Sequence, residues 1–372
     1  MSQITNPQKV FLSSIASKID YCLLQTDAKC LIGGAMKIYC SSNHIVAIGR
    51  QSPSNDVCYV FDKQNGFFIR QISSLGNGPN EYQYTNALFW DGVHEQVSVN
   101  HNSKHAFYNL DGSLSHLTNY FRPSGNPVVA FDEYYVKYVP NHNGEQTIRI
   151  AFYNKAGVLI DSILEYRSWK RQNYNSFNPI PLEHSVYIFH NSLYYKDLAC
   201  DTLYHIVDFH LQPRFIFQTG DRSFPYEMQE GGRYETIGTK REDLDRYERY
   251  VVIDNILENG KQLFFTIDLK LRRYLATYNK SDDKLQVMPP VYNPPTGRGR
   301  NLPIRGFEND LDGGLPFWPQ QIISDKEMMC VYTAEELLAL DRTKITNSKL
   351  TKVLNQLQED SNPVVAIVTT RD

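Results

Sequence analysis

The stretch Tyr59-Val-Phe-Asp-Lys-Gln-Asn-Gly-Phe-Phe-Ile joins two runs of β-branched and aromatic residues through a polar turn that Gly66 closes. Such runs favour strands, and polar turn residues bound them. In the turn, an Asp or Asn side chain accepts backbone N–H groups and a Gly supplies a positive φ. The stretch therefore predicts a β-hairpin.

The same hairpin pattern recurs along the chain. Copies begin at Phe107, at Phe152 and at Tyr278, the last with Asp at the turn in place of Gly, and a degenerate copy begins at Ile206. The aromatic residues before Asp or Asn in the first three copies follow one another after 47 and 45 residues. Intervals of about 40–50 residues are typical of four-stranded propeller blades.

The repeat predicts an all-β fold, a six-bladed β-propeller of four-stranded antiparallel blades in a single domain over residues 1–372. The predicted blades lie at about 34–73, 84–120, 127–165, 180–220, 248–290 and 304–370.

Two segments complete the last blade. Thr333 followed by Glu336 forms a capping-box pattern, and apolar residues at helical spacing continue over 349–359, so a helical insert is expected at about 333–360. The strand-like segment 19–25 has no partner beside the first blade. Because an unpaired sheet edge is unfavourable, we expect this segment to close the last blade.

Composition excludes several classes of protein. The chain has 372 residues, 38 Lys and Arg against 41 Asp and Glu, and therefore a net charge of −3. Nucleic-acid binders usually carry a basic excess, so no nucleic-acid partner is expected. No apolar run approaches the roughly 18 residues of a transmembrane helix. The first residues also lack the charged and apolar regions of a signal peptide.

The six cysteines give no metal-binding pattern. None belongs to a Cys-x-x-Cys pair, whereas zinc and iron–sulfur sites need closely spaced thiolates. We expect Cys22, Cys40, Cys58 and Cys330 to be small buried apolar residues. The sequence does not decide whether a disulfide joins two of the residues Cys22, Cys30, Cys40 and Cys58.

Four ordered motifs resemble one family. The segment Ser74-Leu-Gly-Asn-Gly-Pro-Asn-Glu-Tyr resembles the G-x-G-P-x-E-Y signature of six-bladed β-propellers from Bacteroides-type bacteria. Segments 18–26, 201–206 and 309–314 resemble the family's opening strand, its DTIY-x-I motif and its ND-x-DGG motif. These proteins have NHL/TolB-like architecture, unknown function and often a lipoprotein signal. The resemblance implies a periplasmic or cell-surface protein, although no signal or lipobox precedes Ile4 and a cytoplasmic location stays open.

The loop around Gly76, Gly78 and Pro79 is not predicted to bind phosphate. A nucleotide site needs its glycines between a strand and a helix, and a β run follows here. We expect the glycines to turn the chain while Glu81 and Tyr82 anchor it by hydrogen bonds.

Residues 305–318 supply the candidate ligand site. Segment 309–314 offers three oxygen-bearing side chains and two glycines, but it lacks the EF-hand spacing of calcium ligands. A tight turn is therefore favoured over a metal site. Charged and aromatic side chains that could stack on and hydrogen-bond to a carbohydrate are nevertheless dense here. The candidate ligand residues are Arg305, Asn309, Asp310, Asp312 and Trp318, together with Glu81 and Tyr82.

These observations favour a non-enzymatic binding or interaction propeller, with a glycan or protein partner at the cell envelope. Two alternatives stay open, namely a polysaccharide lyase or glycoside hydrolase that uses the central funnel, and a purely structural scaffold. No catalytic residue, cofactor or metal site is predicted, and we expect a monomer.

Overall fold

The structure is a computed structural model, and strands dominate it. It describes residues 4, 6–33, 35–52, 55–72, 74–75, 81–82, 89–101, 104–119, 128–139, 141, 144–168, 184–226, 249–270, 272–292 and 306–371. In these ranges no helix has the length and apolar character that crossing a membrane would require.

Six antiparallel sheets are the blades of a six-bladed β-propeller, which confirms the predicted fold class. The first strand of the chain is β1 (Ala16–Leu23). The first blade contains β2 (Ala35–Cys40), β3 (His44–Ser52), β4 (Asn55–Asp62) and β5 (Phe68–Ile72). A short parallel pair follows, β6 (Ser74–Leu75) and β7 (Glu81–Tyr82).

The next three blades are also four-stranded sheets. The second contains β8 (Phe89–Asp91), β9 (Gln96–His101), β10 (Lys104–Asn109) and β11 (Leu114–Asn119). The third contains β12 (Val128–Phe131), β13 (Tyr134–Tyr138), β14 (Ile148–Asn154) and β15 (Leu159–Leu164). The fourth contains β16 (His184–Phe189), β17 (Ser192–Asp197), β18 (Thr202–Val207) and β19 (His210–Ile216).

The fifth blade carries one additional short strand. It contains β20 (Val252–Glu258), β21 (Gln262–Leu269), β22 (Arg272–Asn279) and β23 (Lys284–Val287). The extra strand β24 (Val291–Tyr292) pairs with β22.

The closing sheet contains β1 together with the last three strands of the chain. Those strands are β25 (Gln321–Ser324), β26 (Glu327–Tyr332) and β27 (Val364–Thr370). The sheet order is β1-β27-β26-β25, and β1 lies antiparallel to β27 with Ile19 opposite Val368. The N-terminal strand therefore closes the last blade. This confirms the prediction made from the lack of a partner for segment 19–25 beside the first blade.

The predicted helical insert lies between β26 and β27. Helix α1 (Ala334–Leu338) begins at Thr333 with a complete capping box to Glu336. Helix α2 (Ser348–Gln356) begins at Asn347, whose side chain accepts a hydrogen bond of 2.8 Å from the backbone N of Lys349. Both caps satisfy backbone N–H groups that the first helical turn leaves without partners.

The chain divides into two compact units. The closing unit comprises residues Phe11–Ala130, Lys155–Val158 and Phe307–Asp372, and the central unit comprises Met1–Val10, Phe131–Asn154 and Leu159–Gly306. A single domain over 1–372 stays a prediction.

In the closing unit, side chains that alternate between the two faces of β3 and β4 belong to two separate cores. Ile45, Ala47 and Tyr59 pack with Met329 and Val365 of the closing sheet. Their neighbours Val46, Ile48, Cys58 and Val60 pack in another core with Val97, Val99 and Tyr108 of the second blade. Successive side chains of a strand point to opposite faces, so one sheet can serve two cores.

In the central unit, a core of the described residues lies between the fourth and fifth blades. Tyr194 and Leu203 of the fourth blade pack against side chains of the fifth, among them Leu263, Phe265 and Ile267. Strand β21 is buried along its whole length. The apolar side chains of one face belong to this core, and the polar residues Gln262, Thr266 and Asp268 of the other face are buried as well.

The hairpin turns have the backbone that the repeat predicts. Gly66, Gly112 and Gly157 have φ of 76°, 85° and 75°, and Asp283 replaces the glycine with φ of 54°. Asp and Asn tolerate this left-handed region better than most residues. At Gly66 a side chain would also be blocked, because a Cβ atom would lie 2.0 Å from the carbonyl oxygen of Leu23.

All six cysteines are free, and Cys22, Cys40, Cys58 and Cys330 are buried. Burial is the main cause that raises the pKa of the Cys22 thiol to about 11 and that of Cys40 to about 12. These thiols are therefore protonated at neutral pH and unsuited to metal binding or nucleophilic attack.

One buried carboxylate of the central unit holds two arginines. Glu165, of which 4% of the side chain is exposed, accepts hydrogen bonds from Arg149 at 3.0 and 3.1 Å and from the guanidinium of Arg167 at 3.0 Å. Arg167 also pairs with Asp197 and stacks on Tyr226 with its guanidinium carbon 3.9 Å from the ring centre. Burial alone would raise the pKa of Glu165, but the two guanidinium groups outweigh it and lower the pKa to about 2.

Candidate functional site

The turn at residues 309–314 is built around Asp312, whose side chain is buried. Its Oδ1 accepts hydrogen bonds from Asn309 Nδ2 at 2.7 Å, Gly314 N at 2.9 Å and the Tyr21 hydroxyl at 3.2 Å. Its Oδ2 accepts one from Asn347 Nδ2 at 3.3 Å. The carboxylate therefore joins the turn to β1 and to the start of α2.

Asp310 is exposed and points toward the N-terminal segment. Its carboxylate accepts hydrogen bonds from the backbone N of Ser13 at 2.9 Å and from the Ser13 hydroxyl at 2.5 Å. Desolvation acts to raise the pKa of Asp310, but the two bonds from Ser13 outweigh it, so the pKa lies below its usual value.

Of the other predicted ligand residues outside the turn, only Trp318 has a described side chain. Trp318 is half-buried and stacks on Phe307 with ring centres 6.0 Å apart. Glu81 and Tyr82 contribute the backbone of β7, and their side chains lie outside the described part, as does Arg305. Among the described residues, no group of three His, Cys, Asp or Glu side chains could hold a metal ion.

A polar pocket of about 510 Å³ lies in the closing unit, beside this turn. The closing sheet, helix α2 and two turns of the first blade contribute its walls. The residues that line it are Asp20, Tyr21, Cys22, Ser42, Asn43, Asp62, Lys63, Gln64, Glu327, Lys349 and Ile367. Nine of these eleven residues have a side chain with a carboxylate, ammonium, amide or hydroxyl group.

Two ion pairs span the polar pocket. Lys63 Nζ, from the turn after β4, lies 2.9 Å from Glu327 Oε2 at the start of β26. Lys349 Nζ, from α2, lies 2.6 Å from Asp20 Oδ1 in β1. Each pair joins two different elements, and each lysine neutralises one carboxylate.

The third carboxylate of the pocket, Asp62, shapes its own turn. Its Oδ1 accepts hydrogen bonds from the backbone N of Gln64 at 2.9 Å and of Asn65 at 3.0 Å. The backbone N of Lys63 donates to the carbonyl of Asn43 at 3.0 Å, which ties the two turns of the first blade together. The side chains of Asn43 and Gln64 are thus presented on a fixed backbone.

The Asp312 turn positions two components of the polar pocket. Asp312 holds the hydroxyl of Tyr21, a residue that lines the pocket. It also binds the side-chain amide of Asn347, which caps the helix that carries Lys349. The predicted residues Asn309 and Asp312 therefore lie behind the pocket wall, not on its surface.

Electrostatics make Asp20 and Cys22 weak candidates for acid–base or nucleophilic catalysis. Burial acts to raise the pKa of Asp20, but Lys18 and Lys349 outweigh it and the pKa is lowered. A general acid at neutral pH needs a raised pKa. The Cys22 thiol, with a pKa of about 11, is a poor nucleophile.

Sequence reasoning missed most of the pocket. Residues 62–64 belong to the recognised hairpin repeat, and Lys349 lies in the predicted helix, yet neither pattern indicates what lies opposite them. The closing strand did offer a signal for one pocket residue. If segment 19–25 pairs with the last strand, Asp20 must lie in the last blade. The register that decides which side chains face the first blade is a tertiary property.

Comparisons with known proteins agree with this architecture. A crystal structure of a Bacteroides fragilis protein that is suggested to be exported is 18% identical, covers 98% of each chain and has a TM-score of 0.69. A member of the DUF4221 family from Bacteroides vulgatus is 12% identical, covers 96% of this chain and 97% of its own, and has a TM-score of 0.55. At these identities the likeness shows a common fold.

No curated protein matches the sequence. One family profile does, over residues 1–369, and it is described as a domain of unknown function, DUF4934. The chain therefore belongs to the DUF4934 family, a propeller family of unknown function.

Proposed function

We propose that this propeller is a non-enzymatic binding protein and that its polar pocket takes a hydroxyl-rich ligand of the glycan class. The observation that carries the proposal is the pocket of about 510 Å³, which nine polar residues from several elements line. Small-molecule sites have volumes of roughly 300–1,000 Å³. The pocket is therefore large enough for one or two sugar rings.

The chemistry of the lining suits sugar hydroxyl groups. A hydroxyl both donates and accepts hydrogen bonds, and the pocket offers acceptors on Asp20, Asp62 and Glu327 and donors on Lys63 and Lys349. Because the lysines neutralise two of the three carboxylates, the net charge of the lining is small. A neutral glycan suits this lining better than a strongly charged ligand.

The rigidity of the lining also supports binding. The ion pairs and Asx turns hold the polar groups before a ligand arrives, so less side-chain entropy is lost on binding. Asn309 and Asp312 contribute by positioning Tyr21 and α2. A direct role for Asp310, Trp318, Arg305, Glu81 or Tyr82 in binding stays a prediction.

The arrangement favours binding over catalysis. Glycoside hydrolysis uses a pair of carboxyl groups, one of which is a protonated acid with a raised pKa. In the pocket Asp20 has a lowered pKa and Glu327 is paired with Lys63. A hydrolase or lyase remains the alternative function, and the experiment below separates the two.

A location at the cell envelope is part of the proposal. Its support is the Bacteroides fragilis protein of the same fold, which is suggested to be exported. Fractionation of cells that express the native gene, followed by immunodetection, tests it. Detection of the chain only in the cytoplasm would contradict it.

Isothermal titration with a panel of neutral and acidic oligosaccharides tests the binding function. We expect at least one neutral glycan to bind, and we expect Lys63→Met and the double variant Asn43→Ala/Gln64→Ala each to weaken binding at least tenfold. Lys155→Met is the matched control, because Lys155 occupies the position of Lys63 in the hairpin repeat of the third blade.

Three results would overturn the proposal. If no glycan binds, or if Lys155→Met weakens binding as much as Lys63→Met, the polar pocket is not the site. If the bound glycan is cleaved during long incubation, as product chromatography would show, the function is enzymatic. Binding of a protein instead of a glycan would favour the protein partner that the sequence leaves open.

A further inference from the structure

A second cavity, of about 440 Å³, lies in the central unit and has the opposite chemistry. It lies between the outer strand β19 of the fourth blade and the sheet of the fifth blade. Its floor consists of side chains that are almost fully buried, namely Val251 at 3% exposure, Ile253 at 7%, Leu263 at 1%, Phe265 at 2% and Ile267 at 4%.

The side walls are aromatic and aliphatic. Phe217 packs edge-on against Phe265 with ring centres 5.3 Å apart, and Phe215 packs edge-on against Tyr278 at 5.9 Å. These contacts hold the rings as walls of the cavity. Ile4 and Leu285 also line it.

The N-terminal segment runs beside this cavity. The backbone N of Gln8 donates to the carbonyl of Val287 at 2.8 Å, and Val10 is 3% exposed. The hydrogen bond fastens the N-terminal segment to the fifth blade at Val287, two residues after Leu285. Ile4 of the same segment is one of the residues that line the cavity.

The few polar groups of the lining indicate which ligand charge the cavity favours. The hydroxyl of Thr219 is engaged with Asp201, and the Tyr278 hydroxyl donates to Asp283 Oδ1 at 2.5 Å. The described lining residues include one carboxylate, Asp283, and no Lys or Arg. An anionic headgroup would therefore meet a negative charge, and none of the described lining residues offers a cation to offset it.

We propose that this cavity is a binding site for a neutral apolar small molecule with an alkyl or aromatic body. Ligand sites are concave, mostly apolar and of roughly 300–1,000 Å³, with few polar groups that select orientation. Burial of an apolar ligand against the buried floor supplies the affinity, and Asp283 discriminates against anions.

Titration of the full chain with the neutral fluorescent probe N-phenyl-1-naphthylamine tests the site. We expect the probe to bind saturably and 1-decanol to displace it. Decanoate should need at least a tenfold higher concentration than 1-decanol for the same displacement. Asp283→Asn removes the negative charge, so decanoate should then displace the probe at a concentration within threefold of that needed for 1-decanol. The variant should keep its fold, because Asn also tolerates the positive φ of this position.

A variant that fills the cavity provides the second test. Leu285→Trp places an indole in the wall and should weaken probe binding at least tenfold. Leu159→Trp is the matched control, since Leu159 is 47% exposed at the start of the outer strand β15 of the third blade. Thermal melting establishes that both variants fold.

The proposal fails if the probe does not bind, or if it binds folded Leu285→Trp as well as the wild type. It also fails if decanoate and 1-decanol displace the probe equally in the wild type. These results leave the glycan proposal untouched, because the polar pocket lies in the closing unit.

Discussion

The hydroxyl of Tyr21 donates a hydrogen bond of 3.2 Å to Oδ1 of Asp312, although 291 residues separate the two along the chain. Tyr21 belongs to the closing strand, and Asp312 belongs to the turn that precedes the strands of the same sheet. One buried carboxylate therefore connects the closure of the propeller with the wall of its polar pocket.

Asp312→Ala should lower the free energy of unfolding by about 3 kcal/mol, because it leaves Asn309, Tyr21 and Asn347 without their shared acceptor. Tyr21→Phe removes the bond to Asp312 and the longer bond of 3.4 Å that the hydroxyl accepts from Asn309 Nδ2, and it should cost about 1 kcal/mol. Urea denaturation measures both. In the double variant the two costs should not add, and full additivity would contradict the direct coupling.

Glu165 should make stability depend on pH in the acid range. Its pKa is lowered from 4.5 to about 2 in the folded protein. The stabilisation is therefore complete above the pKa of the unfolded chain and is lost as pH falls through about 2. The shift corresponds to about 3 kcal/mol.

Denaturation of the wild type and of Glu165→Gln at several pH values checks this effect. The difference in unfolding free energy between the two proteins should shrink as pH falls from 5 to 2.5. Glu359→Gln, at an exposed position after α2, should show no such change. A constant difference for Glu165→Gln would show that its carboxylate charge does not stabilise the fold.

Gly66→Ala and Gly112→Ala should differ although both glycines have positive φ in the same hairpin repeat. At Gly112 the nearest atom to a new Cβ lies 3.8 Å away, in the flexible side chain of Arg70. The substitution should therefore cost about 1 kcal/mol, the conformational cost of positive φ.

At Gly66 the new Cβ would meet the Leu23 carbonyl oxygen at 2.0 Å, so the hairpin must also move away from β1. We expect a loss of about 3 kcal/mol or more, since steric strain in a packed site adds to the conformational cost. Thermal and chemical denaturation measure both losses. Equal losses would mean that the turn relaxes freely.

Removal of residues 1–26 should abolish the cooperative unfolding transition. The deletion takes away β1, which exposes the edge of β27 and removes Cys22 and Leu24 from the core shared with the first blade. Calorimetry should show one sharp transition for the full chain, as a single domain requires. Removal of residues 1–9, which leaves β1 in place, should have a much smaller effect.

Two outcomes would contradict this prediction. A truncated chain that melts as sharply and at the same temperature would show that closure is unnecessary. Two separate transitions in the full chain, one for each compact unit, would show that residues 1–372 are not a single cooperative domain.

Local patterns were sufficient to predict the hairpins, the capping box at Thr333 and the apolar face of α2. Each depends on residues close in sequence, and the structure confirms them. The role of segment 19–25 was also predictable, because an unpaired strand before the first blade needs a partner. The polar pocket was not, since its two ion pairs join residues 264 and 329 positions apart.

The sequence by itself determined the blade repeat, because turn chemistry and strand alternation act over a few residues. It also placed Asn309 and Asp312 in a tight turn with a dense set of polar groups. Only the tertiary structure decided that Asp312 turns inward to hold Tyr21 and Asn347, and that Lys63 and Glu327 form an ion pair at the pocket. The reason is physical: the register of β1 against β27 and the packing of neighbouring sheets select which polar side chains converge, and neither is a property of any one segment.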